Sequence, residues 1–106
     1  TGTHDNSTSK GWWDAAGNDV KENILKRITN QHQLPSWNLI ELGLSTDAYL
    51  FITPLQDVLG LGEESRFNIP GTIENNWSWR LNEFDQNALE LLKKYGVLSR
   101  FFGRNL

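Results

Sequence analysis

Apolar residues fall at helical spacing in three segments, gather in one short run, and thin out in two long polar stretches. Val20, Ile24, Leu25 and Ile28 recur on one face, with Lys21, Glu22, Lys26 and Arg27 opposite. This pattern predicts an amphipathic helix from about Asp19 to Asn30, with Asn18 or Asp19 as its cap. Pro35 interrupts the pattern, and Ser36 is placed to cap a second helix in which Trp37, Ile40 and Leu44 share a face and Gly43 is a weak point. A third helix is expected after Asn82, with Phe84, Ala88, Leu91, Leu92 and Tyr95 as its stripe and Lys93-Lys94-Gly96 as its basic last turn and left-handed stop. The run Ala48-Tyr49-Leu50-Phe51-Ile52 is aromatic and β-branched in part and stops at Thr53-Pro54, as a buried parallel strand would.

The remaining stretches are polar. Residues 1–10 are rich in Thr, Ser, Asn, Asp and Gly, which favour turns, and read as a strand end running into a loop. Trp12 and Trp13 then precede a small-residue segment that breaks at Gly17. The long stretch from Pro54 to Leu81 sets Gln56, Asp57, Glu63, Glu64, Arg66, Asn68, Asn75, Asn76, Trp77 and Trp79 among glycines and prolines, the composition of a binding loop held by a scaffold. The order strand end, loop, helices, strand, long loop, helix is that of two successive β/α units. The expected fold class is α/β, mostly helical with one or two short strands. Two parallel strands cannot close on themselves and need cover on both faces. Together with the abrupt start Thr-Gly-Thr-His, this makes residues 1–106 read as one piece of a larger core, cut internally.

Composition narrows the function. Ten Lys+Arg against 13 Asp+Glu give a net charge of -3, which argues against a surface built to neutralise nucleic-acid phosphates. With no cysteine there is no disulfide framework, no thiolate nucleophile and no cysteine zinc site. No apolar run reaches the roughly 20 residues of a membrane span and no signal segment opens the chain, so a soluble intracellular protein is expected. Five tryptophans, Trp12, Trp13, Trp37, Trp77 and Trp79, lie in pairs or loop-like sequence, where their faces suit the apolar faces of sugar rings as well as a core.

Candidate chemistry is sparse. His4-Asp5-Asn6 stands where a strand hands over to its loop, the position at which catalytic groups gather in β/α barrels. The competing reading is a turn in which Asp5 bonds its own backbone and His4 lies on the surface. Cleavage of a glycosidic bond needs two carboxyl groups facing one another, and no spacing among Asp5, Asp57, Glu63, Glu64 and Glu83 picks out a pair. Asp57 reads as a cap on the turn at Val58-Leu59, and Glu63 and Glu64 as the first turn of a short helix. Gly60-Leu61-Gly62 lacks the Lys-Ser/Thr of a phosphate loop. In Asn75-Asn76-Trp77-Ser78-Trp79-Arg80, alternation would bury Trp77, Trp79 and Leu81 on one face of an extended segment with Arg80 outward. Asn76 offers an amide that matches paired sugar hydroxyls, with Trp77 as an apolar wall. His32, in a polar link, has no assigned role.

Two motifs, TGTHDNSTSKGWW at residues 1–13 and PLQDVLGLGEESRFNIPGTIENNWSWRL at residues 54–81, resemble the carboxyl-terminal part of the 4-alpha-glucanotransferases, the amylomaltase or disproportionating-enzyme family. The resemblance runs the whole length of the chain. It implies a carboxyl-terminal portion, about the last two β/α units, of a (β/α)8 TIM barrel, in an enzyme that moves α-1,4-glucan segments between maltooligosaccharides by a retaining mechanism. The nucleophilic aspartate and acid/base glutamate are implied to precede Thr1, so the chain alone is expected to be inactive. By resemblance, Asp5 is the third carboxylate of the site, gripping sugar hydroxyls with His4 beside it, Asn76 lines the same cleft, and Gln56 reaches it from just past the strand. The implied partners are an α-1,4-glucan and the remainder of the barrel; no cofactor, metal, nucleic acid or membrane is expected. The implied location is the cytoplasm, or the plastid in a plant or alga. Two other readings stay open: a small carbohydrate-binding module with tryptophan platforms, and an interaction domain docking through its apolar strand and helix faces.

Overall fold

A computed structural model of the chain describes residues 1–74 and 76–104. The described residues form five α-helices, α1 (Ser9–Ala15), α2 (Asn18–Leu25), α3 (Ser36–Leu44), α4 (Leu55–Val58) and α5 (Gln86–Phe101), with a single 3-10 turn at Glu63–Ser65. Among them there is no strand.

Helix α3 is the centre of the molecule. Trp37, Ile40 and Leu44 are buried, and with Val58 of α4 they form the core, against which Leu34, Phe51, Leu55, Leu91, Tyr95, Leu98 and Phe102 pack. Burial extends round α3 to Ser36, Asn38 and Glu41, and each of these polar side chains has its partner. Ser36 Oγ donates to the Asp57 carbonyl at 2.7 Å, and Trp37 Nε1 donates to the Val58 carbonyl at 3.0 Å. The backbone N–H of His32 donates to Asn38 Oδ1 at 2.8 Å. Pro35, not Ser36, occupies the cap position of α3. Gly43 is where the helix meets Phe51: a Cβ there would overlap the phenyl ring, so the residue that weakens the helix locally permits its closest packing.

Expected elements shift for identifiable reasons. Helix α2 stops at Leu25, short of Asn30, and it starts from Gly17 at the cap position. Beyond it, the Thr29 N–H and hydroxyl go to the buried Glu41 carboxylate, at 2.7 Å and 3.2 Å, instead of continuing the helical ladder. Segment 9–15, whose first two residues were expected in a loop, is helical. Thr8 caps α1 by accepting from Gly11 N at 3.2 Å, Lys10 pairs with Asp14 at 2.7 Å one turn on, and Trp13 turns inward while Trp12 stays 42% exposed.

Helix α5 is capped by Asp85, whose carboxylate accepts from Ala88 N at 2.9 Å, and not by Asn82; Phe84 lies outside the helix and is 55% exposed. It also runs through Gly96. Glycine costs about 1 kcal/mol in a helix interior, which burial of Leu98 and Phe102, the continuation of the Leu91–Tyr95 stripe, more than offsets. The left-handed stop is Gly103, φ 76°. Gly103 N donates to the Arg100 carbonyl at 3.0 Å and Arg104 N to the Ser99 carbonyl at 2.9 Å, the paired bonds of a Schellman turn. The Arg104 guanidinium then donates to the carbonyls of Leu44 and Thr46, both at 2.9 Å, satisfying the open end of α3.

The expected strand at Ala48–Ile52 is the largest correction. Phe51 packs inward, but Tyr49, Leu50 and Ile52 are 103%, 70% and 67% exposed. A strand exists only through the neighbours it pairs with, and this run has no ladder here. One contact survives: Thr1 N donates to the Ile52 carbonyl at 2.6 Å, so the ends of the two segments read as strands lie side by side.

Candidate functional site

The site is built on Asp57, which is 3% exposed. Its carboxylate does not cap its own turn. It accepts from Ser9 N and Ser9 Oγ, both at 2.8 Å, and from the Thr1 hydroxyl. A buried carboxylate is stable only with donors around it, and these three fasten both ends of segment 1–9 onto α4. The segment between them is held as a turn by Asn6, whose Oδ1 accepts from Thr3 N at 2.7 Å and Thr3 Oγ1 at 3.1 Å.

With Asn6 and Thr3 making the turn, the Asp5 carboxylate has no local backbone duty, contrary to the simple turn reading. Its Oδ1 accepts from Asn68 Nδ2 at 2.7 Å, across 63 positions of sequence, and its Oδ2 lies 3.4 Å from His4 Nε2. The side chains of His4 and Asp5 are 53% and 52% exposed, so both are open to an incoming molecule. Arg66 Nη2 donates to the Asp5 carbonyl at 3.1 Å and ties the turn to the opposite loop.

That loop presents the aromatic face. Trp77 has φ 61°, an uncommon backbone for a bulky residue, costing about 1–3 kcal/mol. The expected Trp77–Trp79–Leu81 alternation is thereby broken. The Trp77 N–H donates to the Phe67 carbonyl, and its ring lies 4.8 Å from His4 and stacks on Phe67 at 6.1 Å and 22°. Trp79 meets Phe67 edge-on at 5.9 Å and 84°. Arg80 is exposed, as expected, and its guanidinium donates to the carbonyls of Trp77 and Trp79, at 3.0 Å and 2.8 Å.

Asn76 works inside the same loop. Its Oδ1 accepts from Ile69 N at 3.0 Å, and its Nδ2 donates to the carbonyl and hydroxyl of Thr72 at 3.0 Å and 3.1 Å. Its neighbour Asn75 lies outside the described residues. Gln56 sits at the floor, 4% exposed, with Nε2 donating to the Ser65 carbonyl at 3.2 Å. It lines a hollow of about 140 Å³ together with His4, Thr8, Asp57, Arg66 and Phe67. This is well under the roughly 300 Å³ of a typical ligand pocket, so the region is a wall rather than an enclosure.

The fold thus gathers His4, Asp5 and Trp77 at one edge, sets Gln56 in the hollow that His4 also lines, and leaves Asn76 bracing the loop. Sequence reasoning missed three contributors: Asp57, read as a turn cap, anchors segment 1–9, and Arg66 and Asn68, without any assignment, are partners of Asp5. Their spacing in Arg66-Phe67-Asn68 puts both on one side of an extended segment, but nothing local points to a partner near the other end of the chain. Among the described residues no three His, Asp or Glu side chains converge to hold a metal ion.

Known proteins resemble the chain in sequence and in fold. The sequence profile of the family described as 4-alpha-glucanotransferase matches residues 1–87. The 4-alpha-glucanotransferase of Solanum tuberosum, chloroplastic/amyloplastic, is 45% identical over 105 residues, covering 95% of this chain and 18% of the relative. The 4-alpha-glucanotransferase of Synechocystis is 39% identical over 109 residues, covering 100% of this chain and 21% of the relative. Among solved structures, the amylomaltase from Streptococcus agalactiae in complex with acarbose superposes with a TM-score of 0.80 at 28% identity, covering 100% of this chain and 21% of that one. The chain therefore spans about a fifth of the length of these relatives. On the extent of the profile match and the identity to these relatives, the chain belongs to the 4-alpha-glucanotransferase family.

Proposed function

We propose that this chain forms one wall of a glucan-transferring site, in a protein that moves α-1,4-glucan segments between maltooligosaccharides by a retaining mechanism. The observation that carries the reading is the edge where the half-exposed Asp5 carboxylate, His4 and the Trp77 face meet. A carboxylate open on one side accepts hydrogen bonds from paired sugar hydroxyls. Those bonds strengthen as the ring flattens and charge develops in the transition state, so they act on turnover more than on binding. His4 is a second hydrogen-bonding group at the same edge, Trp77 offers an apolar face to a sugar ring, Gln56 supports the floor, and Asn76 keeps the Trp77 loop in shape beside the cleft. The nucleophile and the proton donor come from the remainder of the parent protein, of which residues 1–106 would be the carboxyl-terminal portion, about the last two β/α units of its (β/α)8 barrel. The side-by-side ends at Thr1 and Ile52, and the exposed Tyr49, Leu50 and Ile52, fit neighbouring strands of that barrel. No helix among the described residues is long and apolar enough to cross a membrane. We place the protein in the cytoplasm, or in the plastid of a plant or alga, as the potato relative's designation favours.

Incubation with maltotriose tests this. The parent protein is expected to yield glucose plus longer glucans and the isolated chain neither; transfer by the isolated chain would contradict the division of labour. A carbohydrate-binding role without transfer has one observation in its favour, the 53% exposure of Trp77. Saturable quenching of tryptophan fluorescence by maltoheptaose in a parent protein inert toward maltotriose would support that alternative.

A further inference from the structure

We propose that Asn68 is the positioning residue for the Asp5 carboxylate. The inference rests on the reading of Asp5 as a group that grips substrate hydroxyls, and it adds the device that aims it. Asp5 stands on an exposed turn, and an exposed carboxylate with two free torsions samples several rotamers, of which few would meet a sugar ring in the required geometry. The 2.7 Å bond from Asn68 Nδ2 to Oδ1 selects one of them. His4 Nε2 lies 3.4 Å from Oδ2, and with the Asp5 side chain 52% exposed that oxygen keeps a side open to a ligand.

The amide suits this task. It donates without bringing charge, so it occupies one oxygen of Asp5 while preserving the full negative charge of the pair. Asn68 is itself fixed: its backbone carbonyl accepts from Arg66 Nε at 3.2 Å, and the same guanidinium reaches the Asp5 carbonyl at 3.1 Å and Glu63 at 3.3 Å. With its side chain only 18% exposed, Arg66 is a rigid brace. Asn68 therefore holds the carboxylate and Arg66 holds the backbone that carries it, and both come from one three-residue strip of the facing loop.

The test is a double-mutant cycle in the parent protein with maltotriose, measuring kcat, KM and thermal midpoint for Asn68→Ala, Asp5→Asn and the pair. Asn68→Ala is expected to lower kcat about tenfold or more, the worth of a hydrogen bond to a charged group. KM and the Asp5→Asn background should each change by no more than about twofold on the same substitution, since an interaction acting through Asp5 has nothing to act on once Asp5 is altered. Asn68→Asp, of the same shape but lacking the donor and facing Asp5 with a like charge, should lower kcat further. The swapped pair Asp5→Asn with Asn68→Asp restores the hydrogen bond and the thermal midpoint without restoring kcat. An equal loss from Asn68→Ala in both backgrounds would mean a purely structural role and overturn the proposal. A large loss from Asp5→Asn with none from either Asn68 variant would overturn it while leaving the reading of Asp5 intact, whereas an unchanged kcat in Asp5→Asn would remove that reading and the proposal together.

Discussion

Asp57, only 3% exposed, carries more of the site than its burial suggests. Three donors, Ser9 N, Ser9 Oγ and the Thr1 hydroxyl, converge on its carboxylate, and all three belong to the segment that presents His4 and Asp5. Asp57→Ala strands the buried Ser9 groups, and we expect a loss of about 3 kcal/mol, read as a lower urea midpoint of the parent protein, together with reduced turnover; an unchanged midpoint would show that segment 1–9 is held by other means. At this scale the sequence was legible in part. Asp5 and His4 were singled out by motif resemblance and Trp77 as an apolar wall beside Asn76, and His4 lies against both of the others. Asp57 reads locally as a turn cap because the donors that claim it are 48 and 56 positions away. Asn68 and Arg66 were invisible as partners of Asp5 for the same reason.

At the scale of elements, α3 and α5 follow from hydrophobic spacing, because their apolar stripes meet in the core at Trp37 and Ile40; α2 follows only in part, since Ile24 is buried while Val20 of the same expected face is 44% exposed. Their ends do not, since ends are decided by particular hydrogen bonds: Thr29 to Glu41 beyond α2, Asp85 at the start of α5, Gly103 at its finish. The buried polar side of α3 defies an amphipathic reading altogether. Glu41 is 1% exposed, His32 Nε2 lies 2.9 Å from Glu41 Oε1, and Lys94 Nζ of α5 lies 3.3 Å from His32 Nδ1 and 4.3 Å over the Trp37 ring. The ring thus bridges the Glu41 carboxylate and the Lys94 ammonium, one at each nitrogen. His32, without a role in the sequence, links α5 to α3.

A pH dependence follows from Lys94. Burial holds its ammonium below the ordinary value of 10.5, with Glu41 partly opposing. The folded protein thus releases this proton at lower pH than the unfolded chain, which binds more protons between the two values. The Lys94 contribution to stability therefore rises with pH across the interval that ends near 10.5. Lys94→Met should remove that rise, measured as urea midpoints at a series of alkaline pH values; parallel profiles for the two proteins would contradict the assignment.

For the whole molecule, the decisive feature is what the chain leaves uncovered. Tyr49, Leu50 and Ile52 stand exposed beside the Thr1–Ile52 contact, and Val97 and Phe101 are exposed on α5. The apolar run was legible as strand-forming, but a strand is a property of a pair of segments, and the described residues supply no second one. Unpaired edges and apolar patches of this kind draw in other chains. The purified chain is expected to self-associate with rising concentration in sedimentation, and Leu50→Lys to reduce that association. In the parent protein the same substitution should lower stability by burying a charge, and a concentration-independent monomer of the unaltered chain would count against the account.

If Asp5 is a carboxylate that acts in the transition state of glucan transfer, Asp5→Asn in the parent protein is the decisive variant. Kinetics with maltotriose should show kcat lowered by about 100-fold or more, with KM changed far less, because the interactions lost are those that strengthen as charge develops. A kcat equal to that of the unaltered protein, or a loss confined to KM, would contradict it.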